Sequence, residues 1–151
     1  MNFKAIINLF SILVLLFSLS YVFPIVVSLI FNDNSLQLFL PAFIFVGVLG
    51  LIGFFFTKGV QRDLTAKDGF VIIVMFWLVL SMAGSIPFYL SGMSPIDAFF
   101  ESMSGITTTG ATVISNIESL PESLKFYRQP LQWMGGMGLI VLAIAVMPLL
   151  G

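Results

Sequence analysis

The groups in this chain best suited to chemistry lie in one stretch, "ESMSGITTTGATVIS", from Glu101 to Ser115. Within it Thr107, Thr108, Thr109, Gly110, Ala111 and Thr112 offer hydroxyls and backbone carbonyls, and no charge. Oxygens of this kind do not transfer protons at neutral pH, but they can replace the water around a dehydrated monovalent cation. Two carboxylates precede them, Asp97 and Glu101. No nucleophile, metal-ligand cluster or orienting partner accompanies this pair, so it lacks what acid/base catalysis needs. The chain has no Cys and no His, which removes thiol nucleophiles, disulfides, zinc sites and imidazole chemistry together. The residues point away from an enzyme and call for no cofactor; an ion is the ligand they suit.

The elements that must position this stretch are membrane helices. Of 151 residues, 59% are hydrophobic and 9% are charged. Soluble domains run near a quarter charged, so this chain cannot cover a water-exposed surface and is expected to be an all-α integral membrane protein. A net charge of -1 without a basic cluster argues against nucleic-acid binding. Four apolar stretches, Ala5–Phe31, Leu36–Phe56, Phe70–Leu90 and Leu131–Leu150, each reach the roughly 20 residues that cross a hydrocarbon core of about 30 Å. Pro24 and Pro41 fall inside the first two, where a membrane helix tolerates a kink. A cleaved signal peptide would be shorter than the first stretch and would end on a small-x-small site, which is missing. Lys4, Lys58, Arg62 and Lys67 mark cytoplasmic ends, whereas "NDNS" at Asn32 to Ser35 carries no positive charge. This places the N-terminus and the Lys58–Lys67 loop inside, and Ser91 to Gln129 outside. The chain divides into a transmembrane hairpin at 1–57, a cytoplasmic loop at 58–68, and a second unit at 69–151.

The second unit reads as span 70–90, short helix, polar stretch and span 131–150. Ser94 is a good N-cap, Pro95 suits the first helical position, and Asp97 stands three residues after the cap. Ile96, Phe99, Phe100 and Met103 share one face of a helix over 95–105, and Gly105 is a credible stop. About ten residues at 1.5 Å each give ~15 Å, half a bilayer. The backbone that follows, 107–112, would be non-helical at membrane depth, which is tolerated only against protein or a water-filled path. Threonine favours extended backbone, and Gly110 permits dihedrals that other residues resist. Carbonyls of such a run can face a cation, and the partial negative charge at the helix C-terminus favours one. On the residues alone, a polar external turn joining two helices accounts for "TTTG" equally well. The connector at 113–130 is expected to hold at most a short amphipathic turn from Pro121.

Two further segments bear a resemblance that separates these readings. "FFESMSGITTTGATVI" at Phe99 to Ile114 and "LQWMGGMGLIVLAIAVMPLLG" at Leu131 to Gly151 resemble the first pore repeat of the Trk/Ktr/HKT superfamily of potassium transporters, the Trk branch in particular. The two preceding spans resemble the extra N-terminal hairpin of that branch. The resemblance implies a potassium-channel-like pore built from four such repeats in one chain. It implies that Thr108, Thr109, Gly110 and Ala111 bind potassium through backbone carbonyls, with Thr107 and Thr112 at the filter's edges. The resemblance implies that Gly110 is the filter glycine, and in that family glycine there goes with potassium preference. The resemblance further implies potassium uptake across the cytoplasmic membrane of a bacterium, a dimer of pore subunits, and a cytoplasmic nucleotide-binding regulatory partner.

Gly135, Gly136 and Gly138 suit either a flexible pore-lining helix or close helix packing, with packing favoured; Gly47, Gly50 and Gly53 suit packing. Asp97 reads as a cap, and Glu101 either lends negative field to the filter or pairs with a backbone donor behind it. One repeat cannot form a pore, so the chain is expected to be the N-terminal part of a longer transporter or to assemble as four copies. A non-conducting membrane assembly subunit, with the Thr/Gly loop as a mere connector, is the alternative.

Overall fold

The computed structural model describes residues 3–59 and 66–146. Arg62 and the last residues of the fourth expected span, 147–150, lie outside the described residues. Among the described residues six α-helices follow one another: α1 (Phe3–Leu19), α2 (Val22–Phe31), α3 (Leu36–Phe56), α4 (Ala66–Leu90), α5 (Pro95–Ile106) and α6 (Glu122–Val146). A 3-10 turn at Ile117–Ser119 precedes α6, and there is no strand among the described residues. Three segments among those described are long and apolar enough to cross a membrane: Phe3–Phe31, Leu36–Phe56 and Val71–Leu90. The chain is a multi-pass membrane protein.

The first expected span is interrupted. The helix stops after Leu19 and restarts at Val22, with Ser20 and Tyr21 between. Pro24 explains the position, because it has no N–H for the carbonyl four residues earlier and its ring crowds that carbonyl, which belongs to Ser20. The Ser20 carbonyl instead accepts from Phe23 N–H at 3.3 Å. Pro41, by contrast, sits inside an unbroken α3.

The break puts Tyr21 where a second proline needs it. Pro87 in α4 leaves the carbonyl of Ala83 without its helical donor. The Tyr21 hydroxyl donates to that carbonyl at 2.6 Å, and Tyr127 from α6 donates to the Gly84 carbonyl at 3.1 Å. Both tyrosines are fully buried, and Phe39 and Phe88 pack against Tyr127 with ring centroids 5.3 and 5.4 Å away. This aromatic cluster joins the α1–α2 break to α3, α4 and α6.

Elsewhere α1 lies on α3, and α4 lies on α5. The α1–α3 contact is close because it runs over glycines. A Cβ on Gly50 would sit 2.8 Å from Leu15 Cγ, and one on Gly53 would sit 2.3 Å from Ser11 Oγ. The packing role expected for these glycines holds. At the far end of the same pair, Asn8 Nδ2 donates to Thr57 Oγ1 at 2.9 Å.

The turn between α2 and α3 joins the hairpin to the rest. Asp33 Oδ1 accepts from Ser28 Oγ and Ser35 N–H, while Oδ2 accepts from Ser123 N–H at 2.8 Å. Ser123 lies in the first turn of α6, so Asp33 caps that helix from a distant part of the chain. Partial burial pushes the Asp33 carboxyl up, but the hydrogen bonds from Ser123, Ser28 and Ser35 outweigh it and hold the group well below the usual carboxylate range.

Candidate functional site

The polar stretch hangs between α5 and α6. Helix α5 begins as its sequence dictates: Ser94 Oγ accepts from Asp97 N–H at 3.1 Å and donates to Asp97 Oδ2 at 2.8 Å, with Pro95 at the first helical position. Its apolar face, expected from the spacing of Ile96, Phe99, Phe100 and Met103, turns largely outward. The buried face is formed by Ala98, Glu101, Ser102 and Gly105, whereas Ile96 and Phe100 are exposed. A membrane supplies an apolar surrounding at no cost, so small and polar residues take the interior and large apolar ones face out.

The helix ends one residue later than expected, and the ending is specific. Thr108 N–H bonds to the Gly105 carbonyl and Thr109 N–H to the Ser104 carbonyl, both at 2.9 Å. Thr108 itself is left-handed, at φ 58. These bonds make a Schellman ending with threonine where glycine is usual. A β-branched residue at positive φ is a true outlier, costing roughly 1–2 kcal/mol. Thr107 Oγ1 donates to the Met103 carbonyl at 2.7 Å and meets Thr109 Oγ1 at 2.8 Å, which holds the turn together.

The expectation of a plain extended run therefore needs correction at its start. Thr107 continues the helical turn, at φ -80 and ψ 0, and both Thr108 and Gly110 have positive φ, the latter at 74. Helix-ending hydrogen bonds outweigh the β preference of threonine here. Gly110 needs no Cβ in its conformation, and Gln132 Nε2 is the neighbour such a Cβ would meet, at 3.8 Å. Thr108, Thr109, Gly110, Ala111 and Thr112 are exposed. No donor among the described residues reaches the carbonyl oxygens of Thr107, Thr108, Thr109 or Gly110. The Ala111 carbonyl differs, accepting from Ser104 Oγ at 2.6 Å.

Behind the stretch stands the contact that sequence reasoning left open. Glu101 is 3% exposed; its Oε1 accepts from Val113 N–H at 2.7 Å and from the Thr112 hydroxyl. Its Oε2 lies 3.2 Å from Arg128 Nη2. Glu101 thus pairs with a backbone donor behind the stretch. Arg128 was passed over as part of a surface connector, because nothing in the sequence shows that α6 starts at Glu122 and turns Arg128 inward. Half of the expected connector is helix, and Pro130 lies inside it.

Of the last-span glycines, Gly135 approaches most closely. A Cβ there would fall 1.8 Å from the carbonyl oxygen of Ile106, the last residue of α5. On Gly136 it would meet the Thr108 methyl at an ordinary 3.6 Å. Packing, not free flexing, is what Gly135 serves.

A short helix that ends in a polar turn with free carbonyls, held between the long helices α4 and α6, places the chain in the class of multi-pass membrane proteins with a re-entrant loop. The family model "TrkH: Cation transport protein" matches residues 35–151, and the chain belongs to that family. It is 45% identical to the Trk system potassium uptake protein TrkH of Halomonas elongata, over the whole of this chain and 32% of that protein. It is 43% identical to the protein of the same name from Escherichia coli K12, again over all of this chain and 32% of that one. The crystal structure of the potassium transporter TrkH from Vibrio parahaemolyticus superposes with a TM-score of 0.94 at 44% identity, covering 98% of this chain and 32% of that chain. The chain thus spans about a third of the length of these relatives.

Proposed function

We propose that this chain supplies the N-terminal hairpin and the first of four pore repeats of a potassium-uptake protein in a bacterial cytoplasmic membrane. The observation that carries the reading is the run of unpaired carbonyls at Thr107 to Gly110, delivered by the C-terminus of a half-length helix. In this reading the carbonyls of Thr108, Thr109 and Gly110 face the ion. Ala111 stands beside them with its carbonyl shared with Ser104, and Thr107 and Thr112 close the two edges. The helix end adds partial negative charge on the same side, which favours a cation. Potassium is the ion because the relatives named above are potassium uptake proteins and Gly110 occupies the filter-glycine position. Residues 1–57 form the hairpin, 58–68 the cytoplasmic loop and 69–151 the repeat, with the N-terminus cytoplasmic on the charge pattern of its loops. The protein is a transporter and not an enzyme, and it takes no cofactor. A dimer of pore subunits and a cytoplasmic nucleotide-binding regulatory partner complete the assembly by resemblance to the Trk branch.

The test is potassium-limited growth and ion uptake by uptake-deficient bacteria expressing the complete four-repeat transporter that contains this segment. The wild type restores growth, and Gly110→Ser relaxes potassium over sodium. An unchanged ion ratio in Gly110→Ser would remove the filter assignment. Cysteines placed one at a time from Thr107 to Thr112 distinguish a simple connector, which external reagents would label freely and potassium would not protect.

A further inference from the structure

We propose that Glu101, held by Arg128, is the positioning residue that fixes the outer half of the cation path and so sets how strictly it discriminates among monovalent cations. The proposal rests on the pore-loop reading above and adds to it a component outside the filter itself. Three contacts tie residues 111–113 back onto α5. Ser104 Oγ donates to the Ala111 carbonyl, and the single oxygen Oε1 of Glu101 receives both the Thr112 hydroxyl and the Val113 N–H. Among the described residues, no other hydrogen bond joins these three residues to α5.

The second carboxylate oxygen explains why this anchor holds its place. Oε2 faces Arg128 Nη2 at 3.2 Å, with the Glu101 side chain 1% and the Arg128 side chain 14% exposed. Charge-assisted contacts are short and directional, so a carboxylate gripped on one oxygen presents the other in a fixed position. A buried ion pair adds little to stability compared with apolar packing of the same volume. Its contribution here is geometry. Arg128 is itself located by α6, whose first turn is capped by Asp33 through Ser123. The chain of contacts therefore runs from the hairpin turn through α6 to the stretch that follows Gly110. Discrimination between potassium and sodium depends on the number and field of the oxygens an ion meets. Releasing residues 111–113 lets that arrangement adapt to the smaller ion.

The experiment measures the potassium-to-sodium uptake ratio per inserted molecule in the complete transporter. Glu101→Ala removes both hydrogen bonds to residues 112–113 as well as the ion pair and is expected to lower the ratio by about tenfold or more, tenfold being the factor that corresponds to one charge-assisted hydrogen bond. Glu101→Gln keeps an acceptor for Val113 but loses the ion pair, and falls between. Arg128→Lys keeps the charge and stays near the wild type. A wild-type ratio in Glu101→Ala overturns the proposal, even if less protein reaches the membrane, since that result leaves Glu101 a purely structural part. Should Glu101→Ala fail to insert, Thr112→Val removes the hydroxyl that donates to Glu101 and accepts from Ile114 N–H while leaving the ion pair in place, and an unchanged ratio there overturns the proposal equally. Gly110→Ser, measured alongside, separates the two readings. If it shifts the ratio while the Glu101 and Thr112 variants do not, the brace fails and the filter stands; if it leaves the ratio unchanged, the filter reading itself fails.

Discussion

Gly135→Ala and Gly136→Ala make a pair in which neighbouring, chemically identical changes must behave differently. On Gly135 the new methyl carbon would lie 1.8 Å from the Ile106 carbonyl oxygen, about 1.6 Å short of the 3.4 Å at which ordinary contact begins. The obstacle is backbone at the end of α5, so no side-chain rotation relieves it. Either α6 moves away from α5 or the Ile106–Thr107 peptide shifts, and that peptide leads into the proposed filter. Overpacking of this kind costs roughly 1–3 kcal/mol, and more where backbone must move. On Gly136 the methyl meets the Thr108 side chain at 3.6 Å, and helix propensity favours alanine by about 0.5–1 kcal/mol. Thermal unfolding of the complete transporter in detergent, with potassium uptake in cells, reads both. Gly135→Ala is expected to lower the melting temperature and abolish or cripple uptake, while Gly136→Ala stays at or slightly above the wild type. Equal behaviour of the two variants would refute the close contact between α6 and the end of α5.

Three other perturbations test the elements around the site. Tyr21→Phe leaves the Ala83 carbonyl unpaired at the Pro87 kink and is expected to cost about 1–3 kcal/mol, read as a lowered melting temperature with ion selectivity unchanged. Asp33→Ala removes the cap from α6 and is expected to cost about 1 kcal/mol at pH 7. Because the folded Asp33 carboxyl titrates below its unfolded value of about 3.9, its contribution is fully present above that pH and fades as the pH falls through the depressed folded value. The stability gap between Asp33→Ala and the wild type should therefore stay constant from about pH 5 to pH 8 and close only under stronger acid. Gly110→Ala places a Cβ at φ 74 and is expected to cost about 1–2 kcal/mol and to impair transport, measured in the same uptake assay.

The long helices were legible because their signal is local. Leu36–Phe56 matches the expected span residue for residue, and Ser94, Pro95 and Asp97 announced the start of α5 through capping chemistry that needs no tertiary partner. Features that depend on distant residues were not legible. The break at Ser20 and Tyr21 follows from Pro24, yet Pro41 sits in an unbroken helix, so the rule alone could not say which proline would interrupt its span. The apolar face of α5 was legible from its period, but the period alone does not say which face turns inward: Ile96 and Phe100 are exposed while Ala98, Glu101, Ser102 and Gly105 are buried. Thr108 was expected to be extended, and only the Schellman bonds from Thr108 and Thr109 show why it is left-handed. Arg128 lies 27 residues from Glu101 in the chain, and no spacing rule joins them. An intramembrane carboxylate in want of a positive partner was the available signal, and Arg128 is identified as that partner only once α6 is known to begin at Glu122.

The central claim is that the carbonyls of Thr108, Thr109 and Gly110 coordinate the transported ion. Crystals of the complete transporter grown or soaked in thallium, a heavy mimic of potassium, would locate that ion directly by its anomalous scattering. A peak within coordination distance of these three carbonyls, displaced by added potassium, is the predicted result. A transport-competent protein whose only peaks lie away from Thr108, Thr109 and Gly110 would contradict it.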